Sequence, residues 1–328
     1  MPTFRKFTPS SLKGGMGSKK VLAGTKSWLY GQSLISTGCS DLNNACGSGI
    51  PLGSIMILSE DSFIHQGKCI VKLIAAEGIQ SKQKVLLISS MEAEGVREWC
   101  SKLPTLRNGP QTTTAVKKEV PQRSMSGLGG QYSKYLLQSK NKAETVEFCH
   151  SFDLSECEKN QELLLNVYTL SVKTEDYVKT TLQAVSQFTS LCKEEGVVGR
   201  VILDIGDLLC DDSKEQRALF SRLHILIRGS TCVLTSLLNR ELNGSSSFKY
   251  ADCLLSLQPW EGITPPEEFS DTVGLLQVLR LPSMLSLYTH NKAIFVYGIK
   301  RTLHSIRLSE LRIPPQGCIE YTGNNDLY

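Results

Sequence analysis

One run narrows the possible folds more than any other. Gly49-Ile50-Pro51-Leu52-Gly53-Ser54-Ile55-Met56-Ile57-Leu58-Ser59 reads as a turn, shaped by Pro51 and Gly53, that feeds a buried strand. Helical spacing follows from Gln66 to Glu77, where Ile70, Leu73 and Ile74 share a face, with Gly78 read as the stop. A buried strand entering a loop and then a helix is the frame of a phosphate-binding ATPase unit. An intact loop would read G-x-x-x-x-G-K-[ST]. This chain has Ser62-Phe63-Ile64-His65-Gln66-Gly67-Lys68-Cys69.

Gly67 and Lys68 fit that pattern and the rest does not. Such a loop holds phosphate oxygens with successive backbone N–H groups and the positive end of the following helix. Its first glycine, here Ser62, lets the backbone approach without a side chain in the way. The hydroxyl after the lysine holds Mg²⁺, and the thiol of Cys69 is a poor substitute. Two such losses point away from an autonomous ATPase. The remnant fits an ordinary helix entry with a solvated lysine, the reading its degeneracy favours, or a residual anion site. Asp204, at the end of the apolar strand Arg200–Asp204, sits where a Walker B acid would sit. It fits a simple strand-end acid as well.

The chain alternates elements beyond this unit. Apolar runs at Val85–Ile88, Arg200–Asp204 and Thr231–Ser236 read as buried parallel strands. Glu94–Leu103, Lys173–Glu195 and Ser213–Arg228 read as helices. Ala251–Leu257, Gly274–Leu281 and Ile294–Ile299 read as strands near the sheet edge. The expected fold is α/β, a mainly parallel twisted sheet with helices on both faces. Residues 1–27 read as a flexible basic tail and 28–316 as one domain. That domain carries a Pro-, Thr- and Gly-rich insertion at about 104–131, and 317–328 form a polar C-terminal tail.

Net charge is +4, unevenly spread. Residues 1–26 carry six basic residues and no acid, and 104–142 carry seven basic residues and one acid. Two basic arms on a mildly acidic body point to a polyanionic partner or to solvated linkers. Lys117, Lys118 and Arg123 are the RNA-contact candidates of the insertion. The eleven cysteines contain no C-x-x-C pair, so no metal site is expected and the thiols read as core residues of a reducing compartment. No apolar run approaches the ~20 residues that cross a bilayer, and Met1–Ser18 lacks the apolar core of a secretory signal.

A second set of residues carries a resemblance. Ser36-Thr37-Gly38, Asp41-Leu42 and Gly47–Ser54 resemble the opening of RecA-like ATPase domains. Gly24-Thr25-Lys26, Gly31-Gln32 and Leu58-Ser59-Glu60-Asp61 at the expected loop start are similar to the PAXNEB-like family, that of Elongator subunit 4. Phe148–Phe152, Ala251–Leu255, Gly274–Leu276 and Arg307 through Ile313-Pro314-Pro315 agree in order, so the resemblance spans nearly the whole chain. It implies a RecA-like fold without an intact Walker A loop. It implies a heterohexameric ring with subunits five and six, joined to the Elongator catalytic core, that binds tRNA and supports wobble uridine (U34) modification to 5-carboxymethyl-type derivatives. The subunit would be non-catalytic, with no cofactor of its own and any ATP held at ring interfaces. Its location would be cytoplasmic, with the nucleus also open. In such a ring Lys300, Arg301 and Arg307 are candidates for a neighbour's nucleotide or for RNA phosphates, and equally for surface ion pairs. The alternatives are an independent RecA/KaiC-type ATPase and a purely structural adaptor.

Overall fold

The computed structural model describes residues 22–28, 31–107, 148–158, 166–172, 176–206, 214–239, 246–260, 265, 269–281 and 295–311. Lys117, Lys118, Arg123, most of the insertion, most of the N-terminal tail and the C-terminal tail lie outside them. The strands are β1 (Thr25–Ser27), β2 (Ser33–Ile35), β3 (Ile50–Pro51), β4 (Ile55–Glu60), β5 (Lys84–Ser89), β6 (Pro104–Leu106) and β7 (Phe152–Cys157). They continue with β8 (Val167–Ser171), β9 (Gly199–Asp204), β10 (Cys232–Asn239), β11 (Cys253–Gln258), β12 (Thr272–Arg280), β13 (Phe295–Arg301) and β14 (Ile306–Glu310). The helices are α1 (Ser40–Ala45), α2 (Gly67–Gln80), α3 (Ala93–Ser101), α4 (Tyr177–Glu195) and α5 (Lys214–Arg228).

Nine strands form the main sheet in the order β14-β13-β12-β11-β4-β10-β9-β5-β8. From β11 to β8 every neighbour is parallel, and β12, β13 and β14 add an antiparallel extension. The chain leaves β4 through α2, lands two strands away in β5, returns through β9 and β10, and crosses β4 to reach β11. The connections out of β4 and out of its neighbour β10 thus run to opposite sides, which makes the carboxyl end of β4 the switch point of the sheet. The run that reads as Ala251–Leu257 does not lie at the edge. It is central, paired with β4 on one side and β12 on the other. Five of the six β11 residues are buried, which fits a strand covered on both faces.

Two cores follow from the period-2 alternation of the strands. Met56, Leu58, Val85, Leu87 and Ile202 face α1, α2 and α3. Ile55, Ile57, Leu86, Ile88, Val201 and Leu203 face α4 and α5. Helix α2 does not stop at Gly78; it runs to Gln80. Gly78 is there for room. A Cβ at that position would lie 2.6 Å from Cδ of Arg200, whose side chain passes under the helix. Among the described residues no helix is long and apolar enough to cross a membrane.

Candidate functional site

The switch point holds the loop that should bind phosphate. At the end of β4 the Asp61 N–H donates to the carbonyl of Leu257 at 3.1 Å, which ties the loop to β11. The Asp61 carboxylate then accepts from the Phe63 N–H at 2.9 Å, and its carbonyl accepts from the Ile64 N–H at 3.2 Å. This is an aspartate-held turn rather than a glycine cradle. Ile64 is buried and packs where Gly274 at the start of β12 leaves space. Phe63, between Ser62 and Ile64, points outward and is 83% exposed.

The helix terminus that would face phosphate already holds an anion. The Gly67 N–H donates to Oε1 of Glu60 at 2.6 Å, and the Gln66 amide contributes a second backbone bond to the same carboxylate. Glu60 is buried, and a Cβ on Gly67 would lie 2.9 Å from its Oε2. Successive N–H groups at a helix N-terminus attract negative charge, and here the charge is internal. Burial pushes the Glu60 carboxyl above its ordinary value of 4.5, with the Gly67 and Gln66 amides and the nearby His65 and Lys68 charges pulling the other way.

That balance sets a pH dependence. A carboxyl raised on folding contributes stability that is complete below about pH 4.5 and is lost as pH rises through its folded value. Glu60→Gln keeps an acceptor for Gly67 and removes the ionisation. The stability of this variant relative to wild type is expected to improve from pH 4.5 to pH 7.5, measured by urea unfolding at each pH. A gap that stays constant would show that the carboxylate feels no net burial penalty.

The other candidates separate in space. Lys68 is exposed on the first turn of α2. Asp204 closes β9 opposite Ser89, and β10 lies between that strand and β4. Arg301 reaches the loop: its Nη1 donates to Oε1 of Gln66 at 3.3 Å, and it also bonds to Cys69. Burial raises the Cys69 thiol while Arg301 lowers it. Lys300 turns away and pairs with Asp271 at 2.9 Å. Arg307 lies opposite Lys300 in the ladder and is exposed. Of the residues named from the sequence, Gly67, Lys68 and Arg301 therefore meet at the start of α2.

Several residues that carry the family resemblance prove structural. The Thr37 N–H donates to Oδ1 of Asn43 at 2.8 Å, and Nδ2 of Asn43 donates to Oγ of Ser36 at 2.9 Å, all three residues being buried. Asp252 accepts from the Ile55 N–H at 2.9 Å and from Arg228 at 2.7 Å, which fixes the start of β4. Glu77 is fully buried and accepts from the His150 N–H and faces its Nδ1, both at 3.0 Å. Sequence reading missed Arg200 altogether. It is 1% exposed, inside a strand that reads as apolar, and burial draws its pKa down to about 10.

One cluster imitates a hydrolytic site. Asp153, Ser155 and His304 meet on the surface, where Asp153 accepts from both the hydroxyl and the N–H of Ser155 and is held at about 2. Both Ser155 Oγ and the Asp153 carboxylate lie 3.0 Å from the same ring nitrogen, Nδ1 of His304. A proton relay needs the acid and the nucleophile on opposite nitrogens, so this arrangement cannot activate the serine. Among the described residues no group of three or more His, Cys, Asp or Glu side chains is placed to hold a metal.

A family model described as PAXNEB protein matches residues 18–321. Relatives named Elongator complex protein 4 are similar over most of their length. That of Dictyostelium discoideum is 25% identical over 354 positions, which take in 91% of this chain and 79% of the relative. That of Xenopus laevis is 22% identical, with 91% of this chain and 84% of the relative covered. The Drosophila melanogaster protein of the same name is 27% identical over 46% of this chain and 35% of its own. The matched span takes in the switch-point loop, both cores and the antiparallel extension, and the chain belongs to the PAXNEB protein family.

Proposed function

We propose that this protein is a non-catalytic subunit of the Elongator complex. It is a RecA-like segment of a heterohexameric ring with subunits five and six. The ring associates with the catalytic core, binds tRNA and supports conversion of U34 to 5-carboxymethyl-type derivatives. Family membership and the printed names of the relatives support the placement in Elongator. The observation that carries the non-catalytic part is the Glu60 carboxylate on the Gly67 N–H, because it fills the place of a phosphate oxygen. The succession of β4, α2, β5, β9, β10 and β11 around one switch point supports the RecA-like reading. Arg301, beside the loop, is the residue best placed to act on ATP held at a ring interface.

The test is reconstitution. The chain co-expressed with subunits five and six is expected to purify as one assembly that binds tRNA with a strong salt dependence. The isolated chain is expected to hydrolyse ATP no faster than its Lys68→Ala variant. Strong turnover by the lone chain that vanishes in Lys68→Ala would support an independent ATPase instead. Failure to co-purify with either subunit would remove the ring.

A further inference from the structure

We infer that the tip of the degenerate loop is a protein-docking knob, with Phe63 as its anchor, and that its partner is a neighbouring subunit presenting an apolar pocket with an acidic rim. The inference rests on the multi-subunit reading above and assigns a use to the loop that the loss of phosphate chemistry leaves open. In open α/β sheets the crevice at the carboxyl end of the switch-point strand is where ligands bind. Here its anion seat is filled from within by Glu60, and what projects instead is an aromatic ring that is 83% exposed. Val273 is 45% exposed, next to Gly274, whose open space receives Ile64. One large apolar residue thus stands beside each member of the Ile64–Gly274 contact, so the exposed apolar surface is concentrated at the switch point.

The ring is also held in advance. The Phe63 N–H is bound to the Asp61 carboxylate, the next N–H to the Asp61 carbonyl, and Ile64 is buried beneath. A side chain presented from a fixed backbone loses little freedom on docking, which is the property of an interface anchor. An apolar ring gives a phosphate nothing, so a nucleotide or RNA backbone does not explain it. The exposed charges around it are basic: His65 and Lys68 flank the tip, while the acids of the loop, Glu60 and Asp61, are turned to its own backbone. Charge complementarity therefore selects a pocket rimmed with carboxylates.

The experiment uses the assembled complex. A photo-reactive benzoylphenylalanine replaces Phe63, the complex is purified and irradiated, and the joined peptides are identified. The expected product is a peptide of a different subunit carrying at least one Asp or Glu. Phe63→Asp and Lys68→Glu are expected to weaken assembly by roughly tenfold or more, while Phe63→Ala leaves the unfolding midpoint of the isolated chain unchanged because the ring touches little of its own fold. A product with RNA, with a second copy of this chain or with none, or full assembly by Phe63→Asp, overturns the inference. If the wild-type chain itself fails to assemble, the proposed function falls first, and the two failures are told apart.

Discussion

Replacing Arg200 with methionine is expected to cost about 3 kcal/mol or more of folding stability. The guanidinium is buried, with Nε donating to Oε1 of Gln83 at 2.7 Å. Its Nη1 donates to the carbonyls of Ser36 at 2.7 Å and Ile74 at 2.9 Å. It therefore joins β9, the loop before α1, the interior of α2 and the turn before β5 in one contact set. Methionine fills much of the volume but leaves three buried acceptors without donors, each worth about 1–3 kcal/mol when the lost donor is charged. Arg200→Lys is not expected to rescue it, because one ammonium cannot reproduce the planar fork that spans these directions. The control is Arg222→Met on the exposed side of α5, expected to change stability by no more than about 0.5 kcal/mol. Urea unfolding of the three variants measures the ranking. An Arg200→Met protein as stable as the control would show that the guanidinium carries no structural role.

How much of this was legible depends on whether the cause is local. The β4–α2 unit was, because apolar residues at period 2 and then 3.6 need no knowledge of the rest of the fold. The helical faces of α4 and α5 were too, with Tyr177, Val185 and Phe188 buried as their spacing predicts. Strand order was not, since β11 becomes central only when its connection crosses β4. Yet the adjacent apolar residues Leu254 and Leu255, one on each face, were a usable signal of a strand covered on both sides. Gly78 misled because a glycine near a helix end is usually a stop, whereas here its missing side chain makes space for Arg200. An acid at the end of a strand is common, so nothing marked Glu60 as the occupant of the α2 terminus. The loss of Ser62 and Cys69 from the phosphate pattern was visible; the residue that replaces the phosphate was not.

The second large effect is expected at Glu77. Its carboxylate lies inside α2, fully buried, and binds the His150 N–H and ring and the Ser81 hydroxyl, the last at 3.2 Å. His150 opens the segment that returns after the insertion, and the Arg107 N–H meets the Ser151 carbonyl at 2.9 Å, so both feet of the insertion stand on this contact. Glu77→Leu is expected to cost about 2–4 kcal/mol, through buried donors left unpaired. The loss of amide protection should centre on residues 150–157, as hydrogen exchange would show. Glu77 also supports the charge of Arg200, opposing the burial that lowers its pKa. Each single variant therefore leaves the opposite buried charge less compensated, which is the costly case for ions in an apolar interior. The double variant Arg200→Met with Glu77→Leu removes both charges at once. It should lose less stability than the sum of the two, by about 1 kcal/mol or more. Strict additivity would mean that the two charges do not interact, and that the insertion's feet and the β9–α2 contact are independent pieces of the fold.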